Sequence, residues 1–165
     1  MSDRIAVMNE GELEQIGPCD DVYNNPLTPF VATFVGENNP LFGKINDLSG
    51  DEAKIETPDG VFISSIDKST NLNIGDEAIS FVRPESLFII KDGNDYKNKL
   101  SVKIENIEFE GNVKNFYASL NSGSKIKFSV ANAIDTSEIE ASSQIELGFD
   151  TSKSIILPKG ALATE

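Results

Sequence analysis

The chain of 165 residues predicts a mainly β protein, a small barrel preceded by a short β-hairpin and two short helices. Three observations lead there. From Leu41 onward, short apolar runs rich in Ile, Val and Phe alternate with Gly, Asp, Asn and Ser. Helical periodicity is confined to two brief stretches before Gly36. No run approaches the ~18 apolar residues that a membrane helix needs, and hydrophobic residues make up 39% of the chain, enough for a core.

The elements follow in order. Ile5-Ala6-Val7-Met8 and Leu13-Glu14-Gln15-Ile16 flank Asn9-Glu10-Gly11, the pattern of a hairpin. The apolar positions Ile5, Val7, Leu13 and Ile16 require a cover, either the barrel or a second copy of the chain. Asp20-Asp21-Val22-Tyr23-Asn24-Asn25 begins acidic, as a helix N-terminus favours, and Pro26 ends it. In PFVATFVG, Phe30, Val31, Phe34 and Val35 fall on one helical stripe before Gly36. The β-type runs are LFGKI, AKIE, VFISSI, AISFV and SLFII. After the polar break from Lys91 to Lys99, with Asp92-Gly93-Asn94-Asp95, come LSVKIENIEF, NFYASL, KIKFSV, IELGF and SIILP. Each set is short for a core of its own, so one intertwined β-unit is expected, with no evident internal repeat. In ANAIDTSEIEASSQ, Ile134 and Ile139 suit either a loose helix or an irregular loop, with the loop favoured.

Composition narrows the chemistry. With 14 basic against 27 acidic residues the net charge is −13, which opposes a phosphate backbone. No basic groove interleaved with aromatics is visible, so a nucleic-acid partner is not expected. The chain has no histidine, which removes the commonest general base and most zinc sites. The single Cys19 excludes an internal disulfide, and Asp20 and Asp21 beside it argue against a reactive thiolate. Gly123-Ser124-Lys125-Ile126 lacks the upstream glycine and following hydroxyl of a phosphate loop. Asp92-Gly93-Asn94-Asp95 lacks the closing Glu of a calcium loop. No catalytic, cofactor-binding or metal-ligating residues are assigned. The absence of a secretory signal and of a membrane span predicts a soluble, cytoplasmic protein.

Two places remain as candidate contacts. Arg83-Pro84-Glu85 interrupts two apolar runs, and proline removes a ladder donor, so a corner is expected there with Arg83 and Glu85 paired or facing a partner. Asn39-Pro40-Leu41-Phe42-Gly43 puts a glycine inside a strand, the mark of a bulge, a close backbone approach, or amides arranged around a small oxyanion. The candidates are therefore Asn39, Gly43, Arg83 and Glu85.

SDRIAVMNEGELEQIG, followed by DDVYNNP and PFVATFVGE, resembles the end of the ATP-hydrolysing subunit of ABC importers for sugars, polyamines, ferric iron and some oxyanions. The remainder is similar to their regulatory extension, the TOBE domain, an oligonucleotide-binding-like β-barrel. The matching residues include Asn39, Leu41, Gly43 and Ile45, then Gly75-Asp76, Val82-Arg83-Pro84-Glu85, Glu108-Phe109-Glu110-Gly111 and Ile155-Ile156-Leu157-Pro158. The resemblance implies an ATPase remnant over 1–36 and a TOBE barrel over 37–165. ATP and magnesium would belong to a preceding ATPase domain, and the chain alone would not be an enzyme. The implied partners are a second copy of the subunit and, through that missing domain, the transporter's membrane subunits, at the cell membrane. The chain would not insert into the membrane itself. The Asn39–Gly43 stretch is also similar to molybdate-binding relatives, which carry a basic residue where Asn38 stands. Two further departures are Pro18-Cys19 in place of a hydroxyl cap before the acidic helix, and Ala141-Ser142-Ser143-Gln144 in place of a Gly-Asp turn.

Overall fold

The computed structural model describes residues 3–67, 69–91 and 95–163, so most of the expected Asp92–Asp95 turn lies outside the described residues. The chain opens with a hairpin, β1 (Arg4–Asn9) and β2 (Glu12–Pro18). Glu10 at φ 52° and Gly11 at φ 83° turn it; positive φ at both central positions matches the twist of the strands. Helices α1 (Cys19–Asn24) and α2 (Pro29–Phe34) follow. Pro18 caps α1 without a side-chain bond, whereas Thr28 accepts from the Val31 amide to cap α2.

The hairpin's cover differs from expectation. Val7, Val22 and Val31 form a small core with Ile5, Phe30 and Val35 around it, so the protein's own helices cover the inner face. The opposite face stays bare, with Met8, Leu13 and Ile16 each more than half exposed. The expected four-residue stripe of α2 is also revised. Phe34 is exposed, while Ala32 and Thr33 are buried, because α2 is packed on two sides. Val31 faces the hairpin and Ala32 faces Ile79, Phe81 and Leu157 of the barrel.

The barrel comprises β3 (Asn39–Ser49), β4 (Glu52–Thr57), β5 (Gly60–Ser65), β6 (Glu77–Val82) and the last strand, β12 (Ser154–Pro158). A second sheet has the order β10 (Lys125–Ala131), β9 (Val113–Leu120), β8 (Asn98–Glu110), β11 (Gln144–Phe149) and the two-residue β7 (Phe88–Ile89). SLFII thus contributes less strand than its composition suggests, because a 3-10 turn over Pro84–Ser86 takes its start. Residues 132–143 form the expected irregular loop. One continuous core joins the two sheets, with Phe62 of the barrel 5.8 Å from Phe149 of the second sheet.

An internal duplication emerges that reading the sequence did not reveal. Asn39-Pro40-Leu41-Phe42-Gly43-Lys44-Ile45 opens β3, and Asn98-Lys99-Leu100-Ser101-Val102-Lys103-Ile104 opens β8. Both strands shift register just after the shared Ile, at Ile45/Asp47 and at Ile104/Asn106. Ile45 exchanges main-chain bonds with Gly75 and Asp76, and Ile104 does so with Ser142 and Ser143. A 3-10 turn follows the fourth strand of each half, over Pro84–Ser86 and Thr151–Lys153. The final strands then change places. β7 pairs with β11 of the second half, and β12 pairs with β6 of the first in corresponding register.

Candidate functional site

Arg83 lies at the junction of the N-terminal segment with the barrel. β6 ends at Val82, and Pro84 fixes the turn that aims the Arg83 side chain at α1. Its guanidinium donates to the carbonyl oxygens of Glu37 and Tyr23, each at 3.0 Å, and stacks 4.0 Å from the centre of the Tyr23 ring. The Tyr23 hydroxyl donates to Glu85 Oε2 at 2.8 Å. The corner therefore has no direct side-chain hydrogen bond between Arg83 and Glu85; Tyr23 stands between them and serves both. Burial pushes the Arg83 guanidinium below its ordinary value, offset by Tyr23 and Glu85. Burial, then the bond to Glu85, raises the Tyr23 phenol.

Gly36 completes this junction. Its φ is +149°, and a Cβ there would lie 3.3 Å from both Arg83 Nη1 and Tyr23 Cε2. A cavity of about 460 Å³ opens on one side of the Tyr23–Glu85 bridge, lined by Asn24, Asn38, Ser152 and Lys153 among others. Within its wall Asn38 Oδ1 is buried without a hydrogen-bond partner. A shallower cavity of about 330 Å³ lies on the other side, with Glu37, Glu85, Glu110 and Lys127 among its lining residues. Lys127 pairs with Glu37. Burial acts to lower the Lys127 ammonium, but the Glu37 hydrogen bond and charge raise it overall.

Asn39 and Gly43 lie on β3, away from Arg83 in role. The Asn39 amide is spent on one residue: Lys127 N donates to its Oδ1 at 2.9 Å, and its Nδ2 donates to Lys127 O at 2.7 Å. At Gly43 a Cβ would sit 2.2 Å from the Glu56 carbonyl oxygen, so glycine is what lets β3 and β4 approach. Among the described residues, no three His, Cys, Asp or Glu side chains converge as metal ligands. Sequence reasoning missed Tyr23, Lys127 and Asn98. The repeated Asn-x-Leu-x-x-Lys-Ile was the one available signal, for Asn98.

The architecture is an oligonucleotide-binding-like fold, and residues 81–157 match the TOBE domain family. The chain is similar to ATP-binding subunits of ABC importers. It is 33% identical over 134 residues to the spermidine/putrescine import ATP-binding protein PotA of Fusobacterium nucleatum, covering 79% of this chain and 36% of that protein. It is 35% identical over 136 residues to the Fe(3+) ions import ATP-binding protein FbpC of the same organism, covering 82% and 34%. It is 26% identical over 158 residues to PotA of Rubrobacter xylanophilus, covering 95% and 41%. The chain thus spans about a third of the length of these curated relatives. Among solved structures, the cytoplasmic molybdate-binding protein ModG, with molybdate bound, superposes with a TM-score of 0.64 at 17% identity, covering 73% of this chain and 96% of ModG. That likeness establishes the fold alone.

Proposed function

We propose that this chain is the regulatory, dimer-supporting part of an importer's ATP-binding subunit. Residues 37–165 would be the TOBE barrel, and residues 1–36 the edge of an ATPase domain. The observation that carries this reading is the bare face of the hairpin. Met8, Leu13 and Ile16 remain exposed although the opposite face has its own core. Such a face needs a cover, and an ATPase domain packed on β1 and β2 would provide one. ATP and magnesium would bind in that domain, which would also contact the membrane subunits at the cytoplasmic face. The solute would be a polyamine, a sugar or ferric iron.

Sedimentation of this chain over a wide concentration range tests the dimer-supporting role. Weak, reversible self-association that persists in a Leu13→Glu, Ile16→Glu variant is expected, because the barrels and not the hairpin would form the joint. A monomer at every concentration would overturn a joint held by the barrels themselves.

A second reading, a small-oxyanion binder of the molybdate kind, draws on the fold shared with ModG. The Asn39 amide already engaged by Lys127, the space above Gly43 filled by Glu56, and the net charge of −13 all weigh against it. Calorimetric titration with molybdate, tungstate and sulfate separates the two readings; saturable heat with molybdate and tungstate would favour the second.

A further inference from the structure

The two helices attach the N-terminal segment to the barrel by different chemistry. α2 buries Ala32 against Ile79, Phe81 and Leu157, and the Ala163 amide donates to Thr33 Oγ at 2.8 Å. Close-packed apolar contact of that kind resists sliding. α1 instead packs against its own segment, with Val22 buried beside Val7 and Val31. Between the end of α1 and the barrel lies the 460 Å³ cavity, not a packed interface. What crosses the gap is polar: Arg83 to the Tyr23 carbonyl and ring, and the Tyr23 hydroxyl to Glu85.

We propose that Arg83 is a latch that sets the tilt of the N-terminal segment on the barrel, with the contact between α2 and the barrel as the pivot, since the Val7–Val22–Val31 core ties α1 and the hairpin to α2. The two contacts differ in what each loses when it opens. Parting α2 from the barrel would expose apolar surface to water. Parting Arg83 from Tyr23 exchanges protein hydrogen bonds for water hydrogen bonds at small net cost. The cavity gives α1 room to move, and its polar walls tolerate water. Gly36, in the left-handed region beside both latch residues, lets the connecting chain pass without displacing them. The N-terminal segment is therefore joined to the barrel by one fixed contact and one releasable contact.

Hydrogen exchange by mass spectrometry on the full chain tests it. In Arg83→Gln, amides of residues 19–27 should exchange at least tenfold faster, while β8 and β9 keep their wild-type rates. Arg83→Lys should loosen the same amides, because an ammonium cannot fork between two carbonyls while lying flat on a ring. Tyr23→Phe keeps the ring and removes the bond to Glu85, so a smaller, equally local increase is expected. It also provides a milder variant should Arg83→Gln fail to fold. Unchanged rates at 19–27 in both Arg83→Lys and Tyr23→Phe would overturn the latch. So would an equal acceleration across β3 to β6, which would make Arg83 a general support of the barrel.

Discussion

Asn39 and Asn98 perform one task from opposite halves of the molecule. Asn39, on β3, gives its amide to both main-chain groups of Lys127 on β10. Asn98, on β8, does the same for Ile63 on β5, at 2.7 and 2.8 Å. Each side chain acts as a single residue of an additional strand, satisfying a donor and an acceptor that the sheet leaves unpaired.

Asn98 is fully buried, so Asn98→Ala leaves two main-chain groups of Ile63 without partners. A loss of about 2–4 kcal/mol is expected in urea unfolding. In Asn98→Asp, a carboxylate would face the Ile63 carbonyl. Burial and that carbonyl would raise its pKa, so the protonated form is favoured in the folded state. The variant's deficit relative to wild type should therefore shrink as pH falls through the acid range and grow as it rises.

Ser142 has φ 77° at the position where the first half has Gly75 at φ 95°. An L residue there carries strain of about 1–2 kcal/mol, partly offset by the lower freedom of the unfolded chain compared with glycine. Ser142→Gly should raise stability by up to about 1 kcal/mol. Ser142→Val should lower it by about 1–2 kcal/mol, since a β-branched side chain fits this region worst. Denaturant midpoints at unchanged m-value check both.

Gly43 and Gly148 distinguish a backbone wall from a side-chain wall. A Cβ at Gly43 meets the Glu56 carbonyl at 2.2 Å, whereas one at Gly148 meets the Tyr96 ring at 2.5 Å. The carbonyl cannot move without disturbing the ladder, and at Gly148 the clash reaches the root of the Tyr96 side chain, with Cγ at 2.5 Å and Cβ at 2.9 Å, so ring rotation alone does not relieve it. Gly43→Ala and Gly148→Ala should each cost about 3 kcal/mol or more. A cost under about 1 kcal/mol for either variant in urea unfolding would contradict this.

The raised Tyr23 phenol fixes the sign of an alkaline effect. A group whose folded pKa exceeds its unfolded value contributes stability that is fully present below the unfolded pKa, about 10, and is lost as pH rises through the folded one. Lys127 is raised too and has the same sign. Wild type should lose stability above pH ~10, and Tyr23→Phe should lose less over that interval. Ultraviolet titration of tyrosinate should show a late-titrating phenol that Tyr23→Phe removes.

Much of the fold was legible because period-two patterning and turn residues act locally. The hairpin, both helices and nearly every strand have such signals. The duplication was not, because only Asn, Leu, Lys and Ile recur between residues 39–45 and 98–104, and Gly75-Asp76 is answered by Ser142-Ser143. The two pairs share a conformation and no residue. At the junction, the sequence marked the corner at Arg83-Pro84-Glu85 but not its partner. Tyr23 lies on an element set by a different local pattern, and only tertiary packing brings it under the guanidinium. Conversely, the sequence showed that Leu13 and Ile16 require a cover but not whether they have one, because their strand pattern is the same in either case.

The exchange of final strands also governs when this protein can fold. The first barrel needs Ser154–Pro158, so a nascent chain on the ribosome holds β3, β4, β5 and β6 with an unclosed seam until those residues have been made. The inner faces of those strands must meanwhile remain soluble or be shielded by chaperones. Stop codons shortly before Ser154 would then damage the half synthesised first as much as the half they truncate.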